Sequence, residues 1–430
     1  MKLKICLQEN GIDRAVGEIT GDTFEDATFE YYETYAQNDG KPISISLPIE
    51  KKRFSVKETQ NYFEGLLPEG FTRRTVAECV HADERDYAKI LSVLGNECLG
   101  AITVVDEEKN SGVQKENYEP LSLEQVKDLA REGTSKSAEL VTKAHLSLTG
   151  ASGKVGLYYD ENNDKWYLPI GKAPSTHIVK QSHVRLKGIV ANEQLALLTA
   201  KKLGIDTAES FIVNTGSNQD SEILLASKRY DRVLQSDRKI TGLIAPYRLH
   251  QEDFAQAMGI ASRDKYEYDN EGYMKKMFYL LRDVSANPLE DQLKLWDMIS
   301  YNYFIGNTDA HIKNYSLIYT PDNKAKRLAP AYDLVSTICY ESSTANMAFA
   351  IAGEYDIRHI TRRHFEKAAK ETGLATNILM KRFDSLRENM PKALEDAAAD
   401  LKKQGFDDVE EMKSTVLAHL TQFKTGAKYR

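Results

Sequence analysis

The stretch Ile305-Gly306-Asn307-Thr308-Asp309-Ala310-His311-Ile312-Lys313-Asn314 decides how the rest of the chain is read. Seven of its ten residues are polar or glycine, yet apolar segments flank it on both sides. Upstream, Leu293, Trp296, Ile299 and Tyr303 recur at helical spacing on one face, and Gly306 stands where a C-terminal glycine ends a helix. Downstream, Tyr315 to Tyr319 reads as a strand, Pro321-Asp322-Asn323 as a turn and Arg327 to Ala329 as a returning strand. That return ends at Pro330-Ala331-Tyr332-Asp333 and is expected to bring Asp333 back beside Asn314.

Asp309 and Asn314 stand at the spacing of the protein-kinase catalytic loop. In such loops the Asp orients the attacking hydroxyl and accepts its proton, and the Asn holds a magnesium ion. Asp333 would then be the second metal carboxylate. A hard cation takes oxygen ligands, and phosphoryl transfer depends on positioning and charge neutralisation, so one carboxylate must stay free beside the nucleophile. Taken alone, Asn-Thr-Asp is also a common turn composition, and Asp309 and Asn314 could simply cap the strand that follows. His311 reads either as an acid–base or metal residue or as hydrogen-bonding scaffold of the loop.

Composition bounds the alternatives. A chain of 430 residues exceeds one ordinary core and predicts roughly two or three packed substructures. With 57 basic against 64 acidic side chains the net charge is -7, which provides no overall field for nucleic acid or anionic membrane. Cys6, Cys79, Cys98 and Cys339 are scattered without a C-x-x-C pair, which argues for reduced thiols over a disulfide framework or zinc cluster. Lys2 and Lys4 interrupt the first residues and no long apolar run occurs elsewhere, so a soluble, untargeted, cytoplasmic protein without membrane contact is expected.

Taken in order, residues 1–140 open with short strands and turns. Lys2 to Leu7 alternates, Asn10-Gly11 is a hairpin signal, and Ile43 to Pro48 alternates again. Helical spacing from Glu58 to Val80 breaks at Pro68-Glu69-Gly70, and Asp86 to Leu94 forms a second helix closed by Gly95. A buried strand over Leu99 to Val105, a polar linker over Asp106 to Pro120 and a helix over Ser122 to Glu132, capped by Ser122 with Gln125, complete this part. Residues 141–240 read as an antiparallel nucleotide-type lobe, with strands over Val155 to Tyr159, Trp166 to Pro169, Thr176 to Lys180, Glu209 to Val213 and Ile223 to Ser227, and one helix over Asn192 to Leu203. Gly150, Gly153 and Gly156 would let a loop approach phosphates, although the run matches neither a Walker A motif nor G-x-G-x-x-G. Lys180 ends a strand where a kinase places its phosphate-pairing lysine, and Glu193 is either its ion-pair partner or a first-turn acid complementing the helix dipole. Residues 241–430 show helical periodicity almost throughout, including Gln251 to Met258, Leu379 to Met390 and Lys392 to Lys403.

In this order, a set of short words resembles the HipA family of serine/threonine kinases, the toxin halves of bacterial toxin–antitoxin pairs, over nearly the whole chain. They are Ser44-Ile45-Ser46-Leu47-Pro48, Leu66-Leu67-Pro68, Gly100-Ala101-Ile102-Thr103, Ser147-Leu148-Thr149-Gly150-Ala151, Thr176-His177-Ile178-Val179-Lys180, Asn192-Glu193, Arg229-Tyr230-Asp231-Arg232, Gln251-Glu252-Asp253, Thr308 to Asn314 and Tyr332-Asp333. The resemblance implies an α+β, bilobal protein-kinase-like fold with an N-terminal β-rich region and a mostly helical C-terminal lobe. It implies ATP and Mg2+ as cofactors, Asp309 as catalytic carboxylate and Asn314 and Asp333 as metal ligands. ATP contacts would come from Ser152, Gly153, Lys154, Lys180 and His311 and from Lys228, Arg229 and Tyr230 in the hinge.

The family also carries a serine that the kinase phosphorylates on itself. Ser147 matches it and Ser152 is a second candidate; a phosphate there, of charge about -1.5 to -2, would repel ATP. Two departures stand out: Leu334-Val335 follows Asp333 in place of the Phe-Gly of ordinary protein kinases, and Lys154 matches the family's loop lysine only approximately. The implied partners are a small helix-turn-helix antitoxin, DNA indirectly through the antitoxin complex, and a translation-related protein substrate such as an aminoacyl-tRNA synthetase. The basic groups Lys381, Arg382, Arg387, Lys424, Lys428 and Arg430 read as a solvated face. Two other functional readings are a small-molecule phosphotransferase, which shares the Asp-x4-Asn loop, and a non-catalytic nucleotide-binding interaction module.

Overall fold

The structure is a computed structural model that describes residues 1–106, 115–132, 140, 153–182 and 186–425. The chain divides into two compact units, one formed by 1–183, 213–262 and 316–326, the other by 184–212, 263–315 and 327–430. The first is rich in sheet and the second is mostly helical. These units cut the chain at other points than the divisions near 140 and 240 drawn from sequence texture.

In the first unit a four-stranded sheet runs in the order Thr28–Tyr31, Ile12–Thr20, Lys2–Glu9, Ile102–Asp106, antiparallel throughout. Its first hairpin turns where Asn-Gly was expected to turn it: Asn10 and Gly11 have φ of 47° and 79°, and Glu9 pairs with Ile12. Two consecutive residues with positive φ make the turn whose twist matches that of the strands. The alternation over Ile43 to Pro48 is not a strand. Only an isolated bridge joins Ser44 to Leu47, and the segment is fixed instead by side chains, with the Ile43 N–H donating to the Tyr31 hydroxyl and the Ser44 hydroxyl donating to Glu252. The helices Val56–Phe63, Gly70–Cys79, Tyr87–Leu94 and Leu123–Glu132 lie where periodicity puts them, and Ser122 and Gln125 form the expected reciprocal cap.

A six-stranded sheet follows in the order Asn117–Pro120, Lys165–Ile170, Lys154–Asp160, His177–Gln181, Ile223–Lys228, Ser210–Asn214. The end of the stretch read as a polar linker is therefore an edge strand, because Asn117 to Pro120 pairs with the strand beside it. Leu3, Ile5, Leu7, Phe29, Phe63, Leu91 and Ile102 share one apolar core with Val155, Leu157, Trp166, Val179 and Leu224. The first strands and the six-stranded sheet are thus stabilised by the same burial.

In the second unit, the helix Pro288–Ile305 is buried almost all round from Leu295 onward, not on one face only. Helix Ile189–Lys202, grouped above with the strands, belongs to this unit; it too is buried on most sides, and the Tyr301 hydroxyl donates to its Ala196 carbonyl at 2.6 Å. The stretch Thr376–Lys403 is one helix of 28 residues that continues through Pro391, where two helices were expected. A proline inside a helix costs about 3 kcal/mol, and burial of Met390, Ala393, Leu394, Ala397 and Ala398 around it offsets that cost. Back in the first unit, Gln251–Asp253 is a strand, and the helix begins only at Phe254, because Asp253 and Gln256 cap it reciprocally. Among the described residues no helix is long and apolar enough to cross a membrane.

Candidate active site

Helix Pro288–Ile305 ends in a Schellman motif. The Gly306 N–H donates to the Tyr303 carbonyl at 3.2 Å and the Asn307 N–H to the Asn302 carbonyl at 2.8 Å. Gly306 has φ of 77°, and a Cβ there would lie 2.4 Å from the end of the Ile338 side chain, so glycine is required for both reasons.

The loop that follows is held from beneath by buried polar groups. The Asn307 amide nitrogen donates to Asn302 Oδ1 at 2.9 Å and to the Asp333 carbonyl at 3.4 Å, and its oxygen accepts the Asp309 N–H at 3.1 Å. Thr337 Oγ1 donates to the Gly306 carbonyl at 2.9 Å, so it accepts both the Thr308 N–H at 2.8 Å and the Thr308 hydroxyl at 2.7 Å. Asn307 and Thr308 are buried, whereas Asp309 is exposed. A carboxylate presented on a pinned backbone is the arrangement a general base needs.

The Asp309 carbonyl accepts the His311 N–H at 2.8 Å and the Asn314 amide nitrogen at 3.1 Å. With its nitrogen so engaged, the Asn314 amide is oriented and its oxygen is the remaining donor atom for a cation. His311 is buried, with its ring edge-on to Tyr266 at 5.2 Å between centroids. Lys313 is buried too, and its carbonyl accepts the Tyr332 hydroxyl at 2.9 Å. The chain therefore does return to the loop at Tyr332-Asp333, and Asp333 takes a left-handed φ of 53°. Asn192 clamps the next turn from both sides: its oxygen accepts the Ser336 N–H at 2.8 Å and its nitrogen donates to the Ser336 carbonyl at 3.0 Å.

The donor chemistry of Asn314 and Asp333, one amide and one carboxylate oxygen, suits magnesium. Among the described residues no group of three or more His, Cys, Asp or Glu side chains is arranged to hold a metal.

In the sheet-rich unit, Lys154 and Lys180 are register partners on neighbouring strands and so share one face. Gly153 directly precedes the first of these strands. Ser147, Gly150 and Ser152 lie outside the described residues. Gly156 is not part of a phosphate loop: it sits inside strand Lys154–Asp160, where a Cβ would lie 2.8 Å from the Ser175 hydroxyl oxygen. Lys228 extends to Glu161 at 3.0 Å, and the Tyr230 hydroxyl donates to Gln251.

The Arg229 side chain has a structural task. Its guanidinium is fully buried, paired with Asp231 at 2.8 Å and Glu97 at 3.3 Å, while Arg232 meets the same two carboxylates at 2.8 and 2.9 Å. Although burial pushes the Asp231 carboxyl up, the two guanidiniums hold it well below the usual carboxylate range. Only the backbone at Arg229 could face a nucleotide, and its N–H already donates to the Thr176 carbonyl at 2.9 Å.

Three residues that shape the loop escaped the sequence reading. Thr337 and Tyr266 carry no spacing relation to Asp309, and Asn192 stood only as a word in a pattern; no local signal marks any of them.

Comparison with known proteins identifies the family. Residues 146–394 match the model of the HipA-like C-terminal domain, and residues 5–105 match the HipA N-terminal domain. Y4mE of Sinorhizobium fredii is 32% identical over 90% of this chain and 91% of its own length. The serine/threonine-protein kinase toxin HipA of Shewanella oneidensis is 27% identical over 96% of this chain and 94% of its own. A solved Shewanella oneidensis HipA, from a complex of HipA, HipB and operator DNA, superposes with a TM-score of 0.77 over 97% of both chains at 24% identity. That likeness carries the fold, a mixed α+β kinase-like architecture.

Proposed function

The chain belongs to the HipA family, and from that premise we propose that it is a magnesium-dependent serine/threonine kinase, the toxin half of a toxin–antitoxin pair. The observation that carries this reading is the exposed Asp309 carboxylate on a loop whose neighbours are buried and hydrogen-bonded, with Asn314 oriented by the Asp309 carbonyl at 3.1 Å. Asp309 would orient the acceptor hydroxyl and take its proton. Asn314 and Asp333 would hold magnesium, which supplies charge neutralisation on the phosphates when bound. Lys180 and Lys154, sharing one face of the sheet, would supply positive charge to the phosphates of ATP, with Gly153, Ser152, His311 and the backbone of Lys228, Arg229 and Tyr230 as further contacts.

In the same reading the chain phosphorylates itself at Ser147, with Ser152 as the alternative, and acts on a protein of translation such as an aminoacyl-tRNA synthetase. A small helix-turn-helix antitoxin is its partner, and DNA is reached through that complex. The net charge of -7, which provides no field for direct DNA binding, supports the last point. The part near 1–140 is proposed either to face the antitoxin or only to brace the kinase lobe, 141–240 as the nucleotide lobe and 241–430 as the catalytic lobe.

The test is incubation of the purified chain with γ-labelled ATP and magnesium. Label should enter protein, and Asp309→Asn should lower the rate about 10²- to 10⁴-fold. Equal labelling by Asp309→Asn refutes the assignment of the base, and label on metabolites in place of protein favours a small-molecule phosphotransferase. Mapping the phosphopeptide in Ser147→Ala and Ser152→Ala decides the modified serine.

A further inference from the structure

We propose that Tyr266 is the positioning residue for Asp309, a role that rests on the reading of Asp309 as the base. The Tyr266 hydroxyl donates to Asp309 Oδ1 from 43 residues upstream, in a segment that contains no part of the kinase pattern. A hydroxyl bonded to one carboxylate oxygen fixes the plane of the carboxylate, and so fixes where the other oxygen faces before an acceptor hydroxyl arrives.

Tyr266 is itself held on every side that bears on this contact. Its ring meets the His311 ring edge-on, at 5.2 Å and 86°. The Lys265 ammonium lies 5.4 Å from the centre of the same ring. On the loop side, the Lys265 carbonyl accepts the Ile312 N–H at 3.4 Å, which ties the residue before Tyr266 to the residue after His311. On the other side, Glu267 is buried; its N–H donates to the Ala348 carbonyl at 2.8 Å and its carboxylate accepts the Ala350 N–H at 2.7 Å and the Tyr273 N–H at 3.0 Å. The segment is thus anchored one residue to either side of Tyr266, to strand Asn346–Ile351 and to the catalytic loop. That geometry places a phenol at Asp309 on a segment whose backbone is anchored on both sides of it.

The test uses the full-length chain and the variant Tyr266→Phe, which keeps the ring against His311 and Lys265 and removes only the donor. A hydrogen bond to a charged group corresponds to about a 10- to 100-fold effect, so kcat for transfer from γ-labelled ATP should fall by about that factor. KM for ATP and the melting temperature should stay at wild-type values. Wild-type kcat in Tyr266→Phe overturns the proposal. A fall in kcat accompanied by a parallel rise in KM or a lowered melting temperature overturns it also, because a merely structural residue would act that way. Asp309→Asn, run beside it, separates the two failures: if Asp309→Asn turns over normally the reading of the base is wrong and this role falls with it, and if Asp309→Asn is inactive while Tyr266→Phe is normal only this role is wrong.

Discussion

Glu252 is the residue whose charge state should govern stability near neutral pH. It is fully buried and accepts hydrogen bonds from the Ser44 hydroxyl at 2.5 Å, the Ile45 N–H at 3.1 Å and the Tyr319 hydroxyl. Burial pushes its carboxyl from an ordinary 4.5 up to about 7; Asp253 adds to the rise, and those three donors oppose it. The nearby cation is Lys326, whose amine lies 5.1 Å from the Tyr319 ring centre. The folded chain therefore holds a proton here that the unfolded chain releases above about pH 4.5. Stability from this group is complete below that pH and is lost as pH rises through about 7, in total roughly 3 kcal/mol.

Glu252→Gln imitates the protonated acid. Its oxygen can still accept from Ile45 and Tyr319, and its amide can donate to the Ser44 oxygen, which has Ser46 at 2.9 Å to donate to in turn. The measurement is urea unfolding of both proteins at pH 5.0 and pH 7.5. All other titrating groups are common to the two, so their effects cancel in the difference. The gap in unfolding free energy should move by roughly 2 kcal/mol in favour of the variant between those pH values. A gap that does not change with pH, or that moves in favour of the wild type, would show that Glu252 is ionised throughout and refute the argument.

Other perturbations have equally definite outcomes. Gly306→Ala forces a side chain into φ of 77° and against Ile338; thermal melting should show about 1–2 kcal/mol lost, and labelling from ATP should slow as the loop shifts. Thr337→Val keeps the volume and removes both the acceptor for Thr308 and the donor to Gly306; about 1–3 kcal/mol should be lost in urea unfolding. Arg229→Met leaves Asp231 and Glu97 sharing one fewer cation in a dry site, so about 3–5 kcal/mol should be lost, while Lys228→Met, at the exposed end of the strand, should be nearly neutral by the same assay. Asn314→Ala should raise the magnesium concentration needed for half-maximal transfer more than it lowers the melting temperature.

Much of the loop was legible because its logic is local. Gly306 ending a helix, the Asp309–Asn314 spacing and the turn at Pro321 to Asn323 each rest on residues a few positions apart, where steric and hydrogen-bonding rules act without help from the rest of the chain. The Asn10-Gly11 hairpin and the Ser122–Gln125 cap are of the same kind. Local rules misled where a distant group supplied the partner. Ile43 to Pro48 alternates like a strand, yet Tyr31 and Glu252 reach it from elsewhere and take its N–H groups, and Pro391 reads as a break until the burial around it is known.

What the sequence alone determined, then, is the local turns and caps, the family and the loop that carries Asp309. Tertiary structure decided what holds that carboxylate: Tyr266 at its oxygen, Thr337 beneath Thr308, and Asn192 at Ser336. It also decided that Arg229 is buried against Asp231 and Glu97. The physical reason is one of range. A backbone turn is set by the dihedral preferences of adjacent residues, whereas a buried hydrogen bond needs a partner that only folding brings within about 3 Å, and no spacing in the chain records which residue that will be.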